Sequence, residues 1–246
     1  MQPHQEQQDQ QQQQQQAYEP SIRCTGPYQV TPSIWLSPVL LSDTTEIHRI
    51  LNIDDSIHKG LYSDKMVFPF SEEAARYITA RQLGMRVKDG ICYAWAIRAK
   101  QEDGEEEDDG LMIGLLSLSP RDHDGMGPCY RGKEPVAIAD VDSETSPSPP
   151  LDAEGDILNC GELGFWLSPE HHGKGIMTEV VQFALAKMAR QEFGYDRVHG
   201  EAWSDNVGSR RVMEKTGVMR PAVGVPRFVP KFNAVKDVAH YVYDTE

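Results

Sequence analysis

The sequence predicts a mixed α/β (α+β) fold in which helices pack on a central sheet, and three observations carry that prediction. Apolar runs of strand length recur along the chain. Between them lie segments whose apolar residues follow helical spacing. Gly, Pro, Asp and Ser clusters separate the two kinds of segment, in the order β-α-α-β-β-β-α-β-α-β. A chain of 246 residues accommodates one domain of ordinary size with appendages.

"SIWLSPVLL" (33–41) reads as the first strand and "SDTTEIHRILNIDDSI" (42–57) as one helix opened by a Ser or Asp cap. In "FSEEAARYITARQLGM" (70–85), Ser71 and the acids after it announce a second helix. Phe68, Pro69 and Phe70 precede it, either as a wall of a binding site or as a hydrophobic staple. "YAWAIRAK" and "LMIGLLSLS" flank an acidic tip and pair most simply as a hairpin. "CGELGFWLS" is a further strand. The segment after it sets Ile176, Val180, Ala184 and Met188 at spacings of four beside Met177, Val181 and Leu185, a broad apolar stripe suited to packing on a sheet. "RVHGEAWS" reads as a strand, "VGSRRVMEKTG" as a short helix stopped by Gly217, and "DVAHYVYD" as a last strand with Tyr241 and Tyr243 on one face.

Charge is unevenly placed. Residues 101–156 hold 16 Asp/Glu against 3 Lys/Arg, so the net charge of −14 belongs to that segment and says little about partners. Residues 1–30 read as a disordered Gln-rich tail, and 31–246 as a single domain with an acidic hairpin insertion at 101–110 and a Pro/Gly/Asp-rich insertion at 119–156. Cys24, Cys92, Cys129 and Cys160 lie far apart with no Cys-x-x-Cys, which suggests neither a zinc site nor a disulfide framework. No apolar stretch approaches a membrane span, and the polar N-terminus has no signal-peptide pattern. The expectation is a soluble cytoplasmic protein, with the nucleus as an alternative.

The densest signal is "GFWLSPEHHGKGIMTEVV" (164–181), a strand that breaks at Ser-Pro, passes a Gly-Lys-Gly and becomes a helix. Such a turn points backbone N–H groups and the helix dipole at one spot, which makes an anion site. Gly173 and Gly175 permit positive φ and close approach of a phosphate. The spacing matches neither the dinucleotide fingerprint nor the Walker loop. The pair His171–His172 invites a metal reading. Adjacent residues on a turn rarely converge on one ion, however, and no third ligand is evident, so no metal is expected.

"GELGFWLSPEHHGKGIMTEVV", followed by "SDNVGSRRVMEKTG", resembles the GNAT superfamily of acyl-CoA-dependent N-acetyltransferases, in particular its ribosomal-protein-N-acetyltransferase-like branch. The resemblance spans about 33–244 and is specific within 161–217. It implies a mostly antiparallel sheet with a splayed strand pair, helices on both faces, and acetyl-CoA as acetyl donor. The family loop Gln/Arg-x-x-Gly-x-Gly/Ala falls on Glu170 to Gly175, with Glu170 and His172 departing from the usual residues. A neutral imidazole at 172 gives phosphates less Coulombic help than arginine, which shifts that task to Lys174. The implied cofactor-binding set is Phe165, Trp166 and Leu167 along the acyl arm, His172, Gly173, Lys174, Gly175, Ile176 and Met177 around the diphosphate, and Asn206.

The implied catalytic residues are Glu162 as base and Ser209 as proton donor to the leaving thiolate. Each has an ordinary structural alternative: an outward strand residue for Glu162, a helix-start residue for Ser209. Many relatives place a tyrosine acid seven positions beyond the asparagine, where this chain has Met213. The implied acceptor is a primary amine on a small molecule or peptide, with no nucleic acid and no membrane as partner. A non-catalytic acyl-CoA-binding or scaffolding module of the same fold is the alternative.

Overall fold

The computed structural model describes residues 26–61, 67–100, 110–121 and 158–245. The acidic tip and most of both the expected tail and the second insertion lie outside them. The strands are β1 (Tyr28–Gln29), β2 (Ile34–Pro38), β3 (Ala94–Ala99), β4 (Leu111–Pro120), β5 (Cys160–Leu167), β6 (Arg197–Trp203), β7 (Arg220–Ala222), β8 (Arg227–Val229), β9 (Ala234–Lys236) and β10 (Val238–Asp244). The helices are α1 (Thr44–Leu51), α2 (Ser56–Gly60), α3 (Glu72–Asp89), α4 (Ile176–Phe183) and α5 (Val207–Lys215).

Eight strands form one sheet in the order β1-β2-β3-β4-β5-β6-β10-β7, and β8 pairs with β9 in a separate hairpin. All pairings are antiparallel except β5 with β6. Helices cover both faces. On one side α4 and its π-helical continuation Ala184–Ala189 bury Val180, Ala184, Leu185 and Met188 against Trp95, Leu116, Leu163 and Val198. On the other, α1 and α3 bury Ile47, Ile50, Ala75 and Ile78 against Ala94, Ala96, Met112 and Trp166. A register shift between Ile97 and Arg98 moves the alternation of β4 by one, which is why Ile113 and Leu116 share a face.

Several elements differ from the sequence reading. The segment 42–57 is two helices, because Asn52 ends the first: its Nδ2 donates to the carbonyls of His48 (2.9 Å) and Phe70 (3.0 Å), and its Oδ1 accepts from the Phe70 N–H. Asp54 then accepts from the Ser56 N–H at 2.8 Å and starts α2. Asp43 stands at the N-cap position of α1, but its side chain serves the preceding turn: it is buried, accepts from the Leu40 N–H and pairs with Arg98 at 2.9 Å. Ser71 does cap α3, which runs on to Gly90 in the left-handed region (φ 64°). Phe70 is buried in one cluster with Ala75, so it acts as a staple and not as an exposed wall. Tyr28–Gln29 forms an edge strand within the expected tail, and β4 extends to Pro120, past the expected start of the second insertion. No helix among the described residues is long and apolar enough to cross a membrane.

Candidate active site

The site is built where two parallel strands part. β5 and β6 pair from Cys160 with Arg197 only as far as Leu163 with Gly200, yet β5 continues to Leu167 and β6 to Trp203. On its other edge β5 stays paired with β4 through Leu167. The fork therefore leaves one edge of 164–167 turned toward a cleft of about 490 Å³.

Leu167 leads into a tight turn. The buried Ser168 donates its N–H to Ile113 at 2.7 Å, a short helical turn spans Pro169–His171, and Gly173 (φ 74°) and Gly175 (φ 82°) follow. No atom lies within 4 Å of where a Cβ would stand on either glycine, so the positive φ is what demands glycine. Gly175 is the N-cap of α4, and the first amides of that helix have no partner within it. Gly175, Ile176, Met177 and Thr178, the start of that helix, line the cleft. Across it, Asn206 caps α5 by accepting from the Ser209 N–H at 3.1 Å. Two helix N-termini thus flank one opening, and α2 roofs it with Ser56, Ile57 and Gly60, joined by Leu61 just after the helix.

Of the expected cofactor residues, Phe165, Trp166, Leu167, His172, Gly173, Gly175, Ile176, Met177 and Asn206 line the cleft, as does Ser209. Trp166 lines the cleft and also packs in the α1/α3 cluster. Lys174 is exposed and is not among the lining residues. His172 sits at the cleft but its Nε2 donates to the Leu167 carbonyl at 2.9 Å, which ties the turn to the strand end. Sequence reasoning missed Arg211 and Lys215. They stand four apart on one face of α5, and both line the cleft, where they supply positive charge. His171, weighed in the sequence only as a metal ligand, lines the cleft as well.

Glu162 lies elsewhere, on the sheet face away from α4, opposite His199 in the parallel register. A buried polar group surrounds that position. His240 donates Nδ1–H to the Val223 carbonyl (3.0 Å), so its Nε2 accepts from His199 Nδ1 at 2.9 Å. Glu201 pairs with Arg121 (2.9 Å) and Arg227 (2.8 Å). Burial would raise the Glu201 carboxyl, but the two guanidiniums overcome it and hold it below its ordinary value. Glu162 moves the other way: the protein packed around it raises its pKa, Glu201 adds to that, and Arg121, Arg227 and His199 oppose it. Its side chain nonetheless reaches solvent. Met213 is fully buried and packs in the core, so no proton donor stands at that position.

Comparison with known proteins agrees with this architecture. The family model described as an acetyltransferase (GNAT) domain matches residues 33–219. The chain belongs to the GNAT acetyltransferase family. It is similar to the probable N-acetyltransferase YjcK of Bacillus subtilis (strain 168), 37% identical over 78 residues, which is 32% of this chain and 41% of that relative's length. Its fold resembles that of the microcin C7 self-immunity acetyltransferase MccE in complex with acetyl-CoA and AMP (TM-score 0.60, 14% identity, 91% of this chain and 98% of that one). It also resembles that of a Salmonella typhimurium acetyl transferase that modifies the N-terminal serine of 50S ribosomal subunit protein L7/L12 (TM-score 0.59, 14% identity, 89% and 98%). Among the described residues no group of three or more His, Cys, Asp or Glu is placed to hold a metal ion.

Proposed function

We propose that the protein is an N-acetyltransferase that moves an acetyl group from acetyl-CoA to a primary amine. The observation that carries this reading is the fork: strand pairing ends at Leu163 and Gly200 directly above a cleft bounded by a glycine turn and two helix N-termini. The cleft suits an anionic cosubstrate, because unpaired amides, Arg211 and Lys215 converge on it. The free edge of 164–167 offers amide pairing to the pantetheine arm and an N–H to the oxyanion. As the amine nitrogen bonds to the acetyl carbon and the carbon–sulfur bond breaks, the amine proton passes by way of water to Glu162, whose side chain lies outside the cleft, and Ser209 donates one to the sulfur. Ser209 regains its proton from water. Resemblance to a fold that modifies a protein N-terminus supports a peptide α-amine as acceptor, ahead of polyamines and other small amines.

A second reading, an acyl-CoA-binding module without turnover, draws on Met213, which leaves Ser209 or water to serve as acid. Calorimetry with acetyl-CoA followed by a thiol-release assay over peptides, polyamines and small amines separates the two. Binding with thiol release supports transfer; binding without release on any acceptor supports the module. Absence of binding at millimolar acetyl-CoA overturns both.

A further inference from the structure

The roof of the cleft is a helix that cannot stand by itself. α2 has five residues, too few for stability in water without outside contacts. On one side Ile57 anchors it, buried in the cluster that holds Ile47 and Ile50 of α1 and Trp166 of β5. The other holds come from across the fork. Lys231, 170 residues beyond Leu61 in the turn that joins β8 to β9, donates from Nζ to the carbonyls of His58 (3.1 Å) and Leu61. A helix end leaves such carbonyls without partners of its own, and a lysine can satisfy them. The His58 ring lies edge-on between Phe70 (6.1 Å) and Phe232 (5.9 Å), the residue after Lys231. The same end of α2 meets α5, where a Cβ on Gly60 would stand 2.7 Å from Asn206 Nδ2.

The β8–β9 hairpin is itself rooted in the end of β6, the far arm of the fork. Val229 packs with Trp203 and Val238, Arg227 pairs with Glu201 at 2.8 Å, and Lys236 pairs with Asp205 at 2.8 Å. α2 is therefore fixed to the β5 side by Ile57 and to the β6 side by Lys231 and Phe232, and it bridges the gap where the two strands part.

We infer, on the acetyl-CoA reading of the cleft, that Lys231 is a positioning residue for the cosubstrate: it latches α2 across the fork, and the closed roof confines the acyl arm against the open edge of 164–167. Lys231 is not among the residues that line the cleft. It acts through Gly60 and Leu61, which do.

Lys231→Met keeps the apolar stem and removes the ammonium, whereas Lys231→Arg keeps charged donors. Hydrogen exchange without ligand reads the roof directly, at the amides of Lys59 and Leu61, which pair with the carbonyls of Asp55 and Ile57. They should exchange about fivefold faster in Lys231→Met than in wild type, with Lys231→Arg restoring most of the protection. In calorimetry and stopped-flow displacement, acetyl-CoA should bind Lys231→Met about three- to tenfold more weakly, the size of one lost hydrogen bond, mainly through faster dissociation. Lys231→Arg should again recover most of the loss. The wild type provides a measurement that needs no variant: saturating acetyl-CoA should slow exchange at the same two amides. Unchanged exchange or unchanged acetyl-CoA dissociation in Lys231→Met would overturn the latch, as would Lys231→Arg behaving like Lys231→Met, or roof amides that acetyl-CoA leaves unprotected. A wild-type protein that does not bind acetyl-CoA at all refutes the proposed function itself, and exchange in the ligand-free protein then still decides whether Lys231 holds α2.

Discussion

The two faces of the sheet at the β5–β6–β10 junction are made of opposite materials. Toward α4 stand Leu163, Leu167, Val198, Ala202 and Tyr241, all within one apolar cluster. Toward the other side stand Glu162, His199, Glu201 and His240, closed by Arg121 and Arg227. The apolar face fixes where the fork opens, since packing on α4 leaves those side chains little freedom. The polar face buries imidazole and charged groups in place of apolar surface, and ion pairs held away from water contribute little net stability. Shifted titrations and buried polar networks concentrate where chemistry is done, and both occur on this face, one strand position from the fork.

If that division of labour holds, the largest effect comes from Glu162, the proposed base. Glu162→Gln should lower kcat by about 10³-fold, within the range for loss of a general base, while acetyl-CoA affinity stays near wild type because the side chain is outside the cleft. The pH profile carries the sign. Glu162 must be ionised to accept a proton, and its pKa lies above the ordinary carboxylate value. Wild-type kcat/KM should therefore climb as pH rises through that elevated value, and the variant should lose this limb. Equal loss of cofactor affinity would erase the distinction between the faces.

Next in size is the polar network. Arg121→Met removes a buried guanidinium and leaves Glu201 with Arg227, which is partly open to solvent. Breaking a buried pair from one side costs on the order of 3 kcal/mol, and urea unfolding should show a lower midpoint with an unchanged slope. A cost below about 0.5 kcal/mol, the level of an exposed pair, would mean that this face is wetter than its geometry implies.

The two faces were also unequally legible in the sequence. The glycine turn, α4 and the Asn206 cap are local: their residues are neighbours in the chain, and their turn and cap chemistry shows in single short stretches. The apolar face followed from periodicity. The polar face did not, because His199 and His240 are 41 residues apart and meet only through strand pairing, and Arg121 reaches Glu201 across 80. Glu162 alone was visible, as an acid within an apolar strand. The break at Asn52 was hidden for the same reason, since one of its partners is Phe70, 18 residues on. Nor does periodicity distinguish the π-helical turn at Ala184–Ala189 from regular helix.

On the cofactor side the effects are smaller. Asn206→Ala removes the side-chain acceptor for the Ser209 N–H and should cost about 1 kcal/mol of stability, the usual worth of a cap. Because the same residue lines the cleft, acetyl-CoA affinity should fall as well. A stability loss with unchanged affinity would make Asn206 a cap and nothing more.

The smallest effect is expected at His172, where the family places an arginine. From sequence, restoring that charge promises tighter acetyl-CoA binding. The structure sets a cost against it, because the imidazole donates to the Leu167 carbonyl at 2.9 Å and so holds the turn against the far end of β5. His172→Arg gives up that bond, worth about 1 kcal/mol, and in exchange places a charge on an exposed loop, where ion pairs yield about 0.2–1 kcal/mol. The two nearly cancel, so affinity at moderate ionic strength should change by less than about threefold, and any residual gain should fade as salt screens it. Tightening beyond about tenfold would show that the Leu167 bond is not what holds the turn, and that charge outweighs geometry on the cofactor side of the fork.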